Sequence, residues 1–195
     1  EYLILVDYTS LKNADSLVLD LQNGYYQIEA TLKGLDPSTN LAVVAVNQYN
    51  IPVESMEADG LAVAPMGSSN SRTLVGTPVI ALGSPMGISG SVGYGMITAS
   101  TTLSTVDRNY KQLLTDIVGS RKASGALFNL KGELIGMIAG SKTSSDTGNV
   151  INAYGISELK KVVEKMSNEN KLPYMGISGG DVPTSAHVHN EIPYG

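Results

Sequence analysis

The dominant pattern in this sequence is a succession of short apolar or alternating segments, separated by turns that are rich in glycine and serine. Ser16–Leu21 alternates in polarity, and Asn23-Gly24 follows it as a hairpin signal. Many short strands with such turns favour an all-β sandwich or barrel. The other predicted strands are Leu3–Val6, Gln27–Lys33, Leu41–Val46, Pro78–Leu82, Tyr94–Thr98 and Glu133–Ala139.

One segment near the C-terminal end has the period of a helix. Its apolar residues recur at i, i+3, i+4 and i+7 as Leu159, Val162, Val163 and Met166. Ser157 is the predicted N-cap, and the helix is expected to end near residues 168–170. Residues 1–170 are therefore predicted to form one domain, and residues 171–195 a linker and the start of a second.

The composition excludes several kinds of chemistry. The 195 residues include no cysteine, so thiolate nucleophiles, disulfides and Cys-bearing metal sites are excluded. The two histidines, His187 and His189, both lie in the last nine residues, where a solvated tail is favoured over a metal site. No cofactor or metal is therefore expected.

The net charge and the lengths of the apolar runs limit the classes of partner that this chain is expected to bind. The formal net charge of −5 argues against nucleic acid. Apolar runs such as Leu41–Val46 are far shorter than the roughly 20 residues that span a bilayer, so no membrane contact by this chain is expected. Gly83–Gly87 suggests a phosphate loop, but it lacks the Lys-Ser/Thr pair and a following helix, which favours a structural turn.

The most informative segment is Leu113–Gly136. It leads through a small-residue turn into a strand, a hairpin and a further apolar strand, and it can present the Ser124 hydroxyl and nearby amides to a substrate carbonyl. This segment resembles the catalytic strand of the HtrA/DegP group of trypsin-like serine proteases, T-D-x-x-x-N-P-G-N-S-G-G-P-L-x-N-x-x-G-x-x-I-G. The matching positions are Thr115-Asp116, Ser124-Gly125, Asn129 and Gly132–Gly136.

Two other stretches agree with the same family, in the family's order. Val75–Gly87 resembles V-G-D-x-V-x-A-I-G-N-P-x-G, and Asp36–Val43 resembles D-P-x-T-D-L-A-V. The predicted helix and Pro173–Ile177 resemble the end of the protease domain and the opening strand of a PDZ domain. The resemblance implies a trypsin-like double β-barrel, cut at its N-terminus, with one C-terminal helix and the start of a PDZ domain in residues 171–195.

The chain departs from the family pattern at the catalytic positions. The resemblance places Thr9 where the family has its catalytic His and Asn40 where it has the catalytic Asp. Counting forward from Thr115-Asp116 places the nucleophile at Ser124, whereas counting back from Asn129-Leu130 places it at Ala123. The N-P-G turn is replaced by residues 120–122, which puts the oxyanion hole in doubt.

These departures predict a protein without peptidase activity. A serine hydroxyl is a poor nucleophile at neutral pH without a base, and threonine cannot take its proton. Ser124 is then a vestigial nucleophile. A Ser–Lys dyad with Lys12 or Lys122 is an alternative, but neither lysine has the apolar surroundings that would make it a base.

Three hypotheses follow. The first is an HtrA-like pseudoprotease that binds peptides, unfolded chains or a regulatory protein partner, within a membrane-anchored extracytoplasmic protein. The second is an active serine endopeptidase that uses Ser124 with a non-standard base. The third is an oligomerisation scaffold, because HtrA-like proteins often assemble as trimers; the family strands that form that contact are missing, so a homo-oligomer is left open.

Overall fold

The computed structural model describes residues 1–21, 26–54, 62–105, 108–138 and 149–169. Four strands form the first sheet: β1 Tyr2–Asp7, β2 Leu17–Leu21, β3 Tyr26–Asp36 and β4 Leu41–Val46. Six more form a closed barrel: β5 Pro78–Ser84, β6 Ser91–Ser104, β7 Asn109–Val118, β8 Ser124–Asn129, β9 Leu134–Ile138 and β10 Val150–Gly155. The helix α1, Ile156–Ser167, follows directly.

The first sheet has the order β1-β4-β3-β2, and all its pairs are antiparallel. Its strand β4 is buried on both faces, which explains why Leu41–Val46 is a continuous apolar run rather than an alternating one. One face packs on a small core of Leu21, Ile28, Val46 and Ile51. Within the described residues, β1 and β2 each pair on one side only, so both are edges.

The closed barrel has the order β10-β7-β6-β5-β8-β9 and encloses a core of buried apolar side chains. Its inward side chains alternate with outward ones along each strand. The most completely buried members of this core are Val79, Ala81, Ile97, Leu113, Leu127 and Ala153.

A third core joins the two parts. Leu159, Val162 and Met166 place one face of α1 against Leu41 and Val43 of the first sheet and against the outer side of the barrel. At Gly34 the two backbones come close together, because a Cβ there would lie 2.9 Å from the Met166 Cα. A bulge in β3 between Leu32 and Gly34 accompanies this contact.

These observations confirm the expected all-β, trypsin-like double-barrel class with one helix. Every predicted strand is present, but β6 is much longer than Tyr94–Thr98, and β7 and β10 were not predicted. The predicted hairpin at Asn23-Gly24 and residues 171–195 lie outside the described residues. The helix in the described part of the chain is too short and too polar to cross a membrane.

The predicted N-cap of α1 is wrong. Gly155 occupies the cap position without a side-chain hydrogen bond, and Ser157 lies inside the first turn. A distant serine replaces the local cap: the Ser157 amide donates to Ser69 Oγ at 3.0 Å, and the Ser69 amide donates to Ser157 Oγ at 2.9 Å. Sequence spacing could not reveal this contact, because the two residues are 88 positions apart.

Candidate functional site

Thr9 and Asn40, 31 positions apart in the sequence, contact each other directly. The Thr9 hydroxyl donates to Asn40 Oδ1 at 2.7 Å, and the Thr9 amide lies 3.1 Å from the same oxygen. Asp7 closes the network, since its Oδ1 accepts from the Thr9 amide at 2.7 Å and from Asn40 Nδ2 at 2.9 Å. The three side chains therefore satisfy one another.

Local backbone structure explains how this network forms. Asp7 ends β1 and caps the 3-10 helix Tyr8–Leu11, which places Thr9 in its first turn. Asn40 has a φ of 60°, a left-handed conformation that asparagine tolerates better than most residues. The preceding turn is fixed by the buried Asp36, whose carboxylate accepts from the hydroxyls of Ser38 and Thr39 at 2.7 and 2.9 Å.

Ser124 begins β8 and lies opposite Ser84 of β5. Their hydroxyl oxygens are 2.8 Å apart, and either one can donate. Among the described residues, Ser84 is the only hydrogen-bond partner of Ser124 Oγ. Lys12 and Lys122 are both exposed, and neither side chain hydrogen-bonds Ser124.

The turn before Ser124 is closed on Ser120. The Lys122 amide donates to Ser120 Oγ at 3.1 Å, and the Ala123 amide donates to the Ser120 carbonyl at 2.9 Å. The Ser120 amide in turn donates to the Pro85 carbonyl at 2.9 Å, which anchors the turn to the end of β5. Ala123, the other position that the motif comparison gives for the nucleophile, is buried in the barrel core.

Two glycines set the register at Ser124. Gly83 and Gly125 face each other across β5 and β8, with φ values of 121° and 127°. A Cβ on Gly125 would overlap the Leu82 carbonyl oxygen, and one on Gly83 would lie 2.8 Å from the Gly125 Cα. Only glycine permits this close approach of the two backbones, which holds Ser84 and Ser124 side by side.

Buried polar groups line the layer between the barrel and α1. Tyr154 lies on the outer side of β10 with its ring 5.4 Å from that of Tyr110, in an edge-to-face arrangement. Burial raises the pKa of Tyr154, and Tyr110 and Asp36 raise it further. The side-chain amide of Asn152 and the hydroxyl of Tyr154 are buried without a hydrogen-bond partner in the described part of the chain.

The structure thus brings Thr9 and Asn40 together, whereas Ser124 pairs with Ser84. Strand β1, which precedes Thr9, contacts β8. Sequence reasoning missed Asp7, Ser84 and Ser120. The sequence does contain a signal for Asp7. It precedes Thr9 by two residues, and an aspartate side chain often caps a turn by accepting from the amide two positions later.

The described residues offer no metal site, since they contain no group of three His, Cys, Asp or Glu side chains. His187 and His189 lie outside the described residues. What the candidate site provides is a set of hydroxyls, amides and one carboxylate, which can hydrogen-bond a polar ligand but include no imidazole.

Both the sequence and the fold of this chain are similar to those of known proteins. Residues 10–137 match the model of the trypsin-like peptidase domain. The serine endoprotease DegS of Haemophilus influenzae is 31% identical over 191 residues, which cover 94% of this chain and 52% of the relative. The putative serine protease HhoB of Synechocystis sp. is 28% identical, with coverages of 89% and 40%. The chain thus spans about half the length, or less, of these curated relatives.

Among solved structures, one similar fold is described as the HtrA-type protease AlgW with a decapeptide. The TM-score is 0.62 at 22% identity, and the match covers 85% of this chain and 48% of the other. At this identity the likeness concerns the fold.

Proposed function

The chain belongs to the HtrA/DegP group of trypsin-like peptidases, and from this premise we propose that its domain is a pseudoprotease that binds polypeptides without cleaving them. The observation that carries the proposal is the direct pairing of Thr9 with Asn40. Motif order predicts that these residues occupy the family's catalytic His and Asp positions, and here they hydrogen-bond each other and Asp7.

Proton transfer is the step that this arrangement does not support. In a serine protease, an imidazole takes the serine proton and later gives it to the leaving amine, while a carboxylate orients the imidazole. A threonine hydroxyl cannot accept a proton at neutral pH, and an asparagine cannot stabilise an imidazolium. Removal of the base alone costs a serine protease about 10⁶ in kcat.

The turn at Ser120 supports the proposal independently. An oxyanion hole uses the amide of the nucleophile and the amide two positions before it. If Ser124 were the nucleophile, the amide of Lys122 would be needed, and it donates to Ser120 Oγ. If Ala123 held that role, its own amide would be needed, and it donates to the Ser120 carbonyl. Either way, one donor of the pair is already in use.

Polypeptide is the proposed ligand because the frame is that of a peptidase and because the similar HtrA-type structure was solved with a decapeptide. An extracytoplasmic location is proposed because several relatives are named as periplasmic endoproteases. We also propose that residues 1–170 form the protease-fold domain, that residues 171–195 begin a PDZ domain, and that the full-length protein is membrane-anchored.

The test combines binding and cleavage on one substrate. The purified protein is incubated with fluorescein-labelled, unfolded casein, while anisotropy reports binding and the release of small fluorescent peptides reports cleavage. We expect a rise in anisotropy without peptide release, and the same result from the matched variant Ser124→Ala.

Two outcomes would overturn parts of the proposal. Peptide release that disappears in Ser124→Ala would establish an active endopeptidase with a non-standard base. Absence of binding to casein, with the protein folded, would remove the polypeptide-binding role.

A further inference from the structure

Strand β6 has an inverted pattern of side-chain sizes. Its large apolar side chains lie on the outside of the barrel. Gly93 and Gly95, which alternate with them along the strand, occupy positions that face the inside. The side chains that we call the outer apolar face, with their exposed fractions, are Leu82 40%, Ile88 71%, Val92 60%, Tyr94 69% and Met96 46%.

The register makes this face continuous. Val92 lies opposite Leu82 of β5, and Tyr94 and Met96 follow it on the same side of β6. Ile88 belongs to the turn that connects these two strands. A contiguous group of large, exposed apolar side chains on a soluble domain is typical of an interaction surface.

The barrel core does not use these side chains. A Cβ on Gly93 would lie 2.6 Å from Ile117 Cγ2 and 3.4 Å from the Ala81 Cβ, so the inside is already filled at that point. The large outer residues therefore contribute little buried area to the fold itself, and their burial is available to a partner.

The charge around this face restricts the partner. The sequence has no Lys, Arg, Asp or Glu from Thr73 to Thr105. Arg121 and Lys122 are exposed on the turn that Ser120 anchors to Pro85, next to the Ile88 end of the face. At the other end, the Asp116 carboxylate accepts from the Met96 amide at 2.7 Å. An acidic group is thus favoured only near the turn.

We propose that the outer apolar face binds an extended apolar polypeptide segment that carries acidic residues at one end, with that end next to Arg121 and Lys122. The exposed Met96 suits such a ligand, because methionine side chains adapt to different apolar sequences. The inference rests on the proposed polypeptide-binding function and adds the surface and the chemistry of the ligand.

The test is fluorescence anisotropy with two synthetic peptides that share an apolar core and end in either two glutamates or two lysines. We expect the glutamate peptide to bind at least tenfold more tightly. The double variant Val92→Thr/Tyr94→Ser should bind the glutamate peptide at least tenfold more weakly than the wild type. The single variant Ile88→Ser should also bind this peptide more weakly. Val18→Thr is the matched control, since Val18 is 53% exposed on β2 of the first sheet.

The outcomes separate the two proposals. If the wild type binds casein and the glutamate peptide but the face variants bind as tightly as Val18→Thr does, the surface is wrong and polypeptide binding stands. If the wild type binds neither, the proposed function fails as well. If Tyr94→Ser instead converts a dimer to a monomer in sedimentation velocity, a second copy occupies the face and the inference is overturned.

Discussion

The first sheet and the closed barrel differ in closure and in charge. The sheet has two edges among the described residues, and residues 1–54 carry seven carboxylates against two lysines. The barrel has no edges, and residues 62–138 carry six Lys or Arg against three carboxylates. The net charge of −5 therefore hides an acidic part and a basic part.

This difference bears on function because the candidate site is divided between the two parts. Thr9 and Asn40 belong to the sheet, and Ser124 and the Ser120 turn belong to the barrel. The polar side chains of the sheet network hydrogen-bond one another, while the barrel has an exposed apolar face and two exposed cations, Arg121 and Lys122, on its turn. We therefore propose that the barrel, rather than the sheet, binds the polypeptide.

The largest expected loss of stability comes from a substitution at the close backbone contact between β5 and β8, on the barrel side of the candidate site. Gly125→Ala should reduce the free energy of unfolding by about 4 kcal/mol or more, because the new methyl group overlaps the Leu82 carbonyl. Gly132→Ala is the matched control: it also has a positive φ, but open space around it, and should cost about 1–2 kcal/mol. Urea unfolding measures both; equal losses would contradict the contact.

The two cores can be compared with one kind of substitution. Ile97→Ala, in the barrel core, should cost about 4 kcal/mol, and Ile28→Ala, in the sheet core, about 2 kcal/mol. The smaller loss is expected because several neighbours of Ile28 are only partly buried, so water and side chains can fill the space. Urea unfolding of both variants checks this ranking. A larger loss of unfolding free energy for Ile28→Ala than for Ile97→Ala would contradict it.

The layer between the two parts contains a buried hydroxyl without a partner. Tyr154→Phe should leave the free energy of unfolding unchanged or raise it by about 1 kcal/mol, because no hydrogen bond among the described residues is lost. A loss of more than about 1 kcal/mol would show that the hydroxyl has a partner.

Tyr154 should also make the free energy of unfolding depend on pH. Because the folded state raises the pKa of Tyr154, it holds the phenolic proton more tightly than the unfolded chain does. The free energy of unfolding should therefore fall as the pH rises above about 10, the ordinary tyrosine value. Wild type minus Tyr154→Phe isolates this contribution; a difference that is independent of pH from 9 to 11 would contradict it.

The smallest effect concerns the contact between the sheet and the end of the helix. Lys33 donates to Glu169 at 2.9 Å and lies 3.4 Å from Glu1, and these carboxylates raise its pKa. Lys33→Gln should lower stability slightly at low ionic strength and have no effect in high salt, because screening removes surface ion pairs. Thermal unfolding at two salt concentrations is the measurement; a loss that persists in high salt would show packing instead.

The sequence predicted those parts of the fold that depend on local patterns. Alternation identified strands such as Gln27–Lys33, and helical spacing identified α1, because burial of one face leaves a periodic record. Strand β10 was missed because Val150–Gly155 mixes small, polar and apolar residues, and its burial depends on strands distant in sequence. The cap of α1 was wrong for the same reason, since Ser69 provides the hydrogen bonds.

For the candidate site, motif order identified Thr9, Asn40 and Ser124, but not their partners. Asp7, Ser84 and Ser120 join the networks through the three-dimensional arrangement of strand ends and turns. A hydroxyl that hydrogen-bonds another hydroxyl leaves no pattern in the sequence, because serine is common in ordinary turns.

We propose that this peptidase fold lacks a reactive serine, and a fluorophosphonate probe, which reacts with activated serine hydroxyls, can detect one if it is present. Intact-mass spectrometry of the wild type and of Ser124→Ala, each incubated with excess probe, counts the adducts on each protein. We predict no adduct on either protein while an active trypsin-like protease in the same tube is fully labelled. A single adduct on the wild type that is absent from Ser124→Ala would contradict the claim.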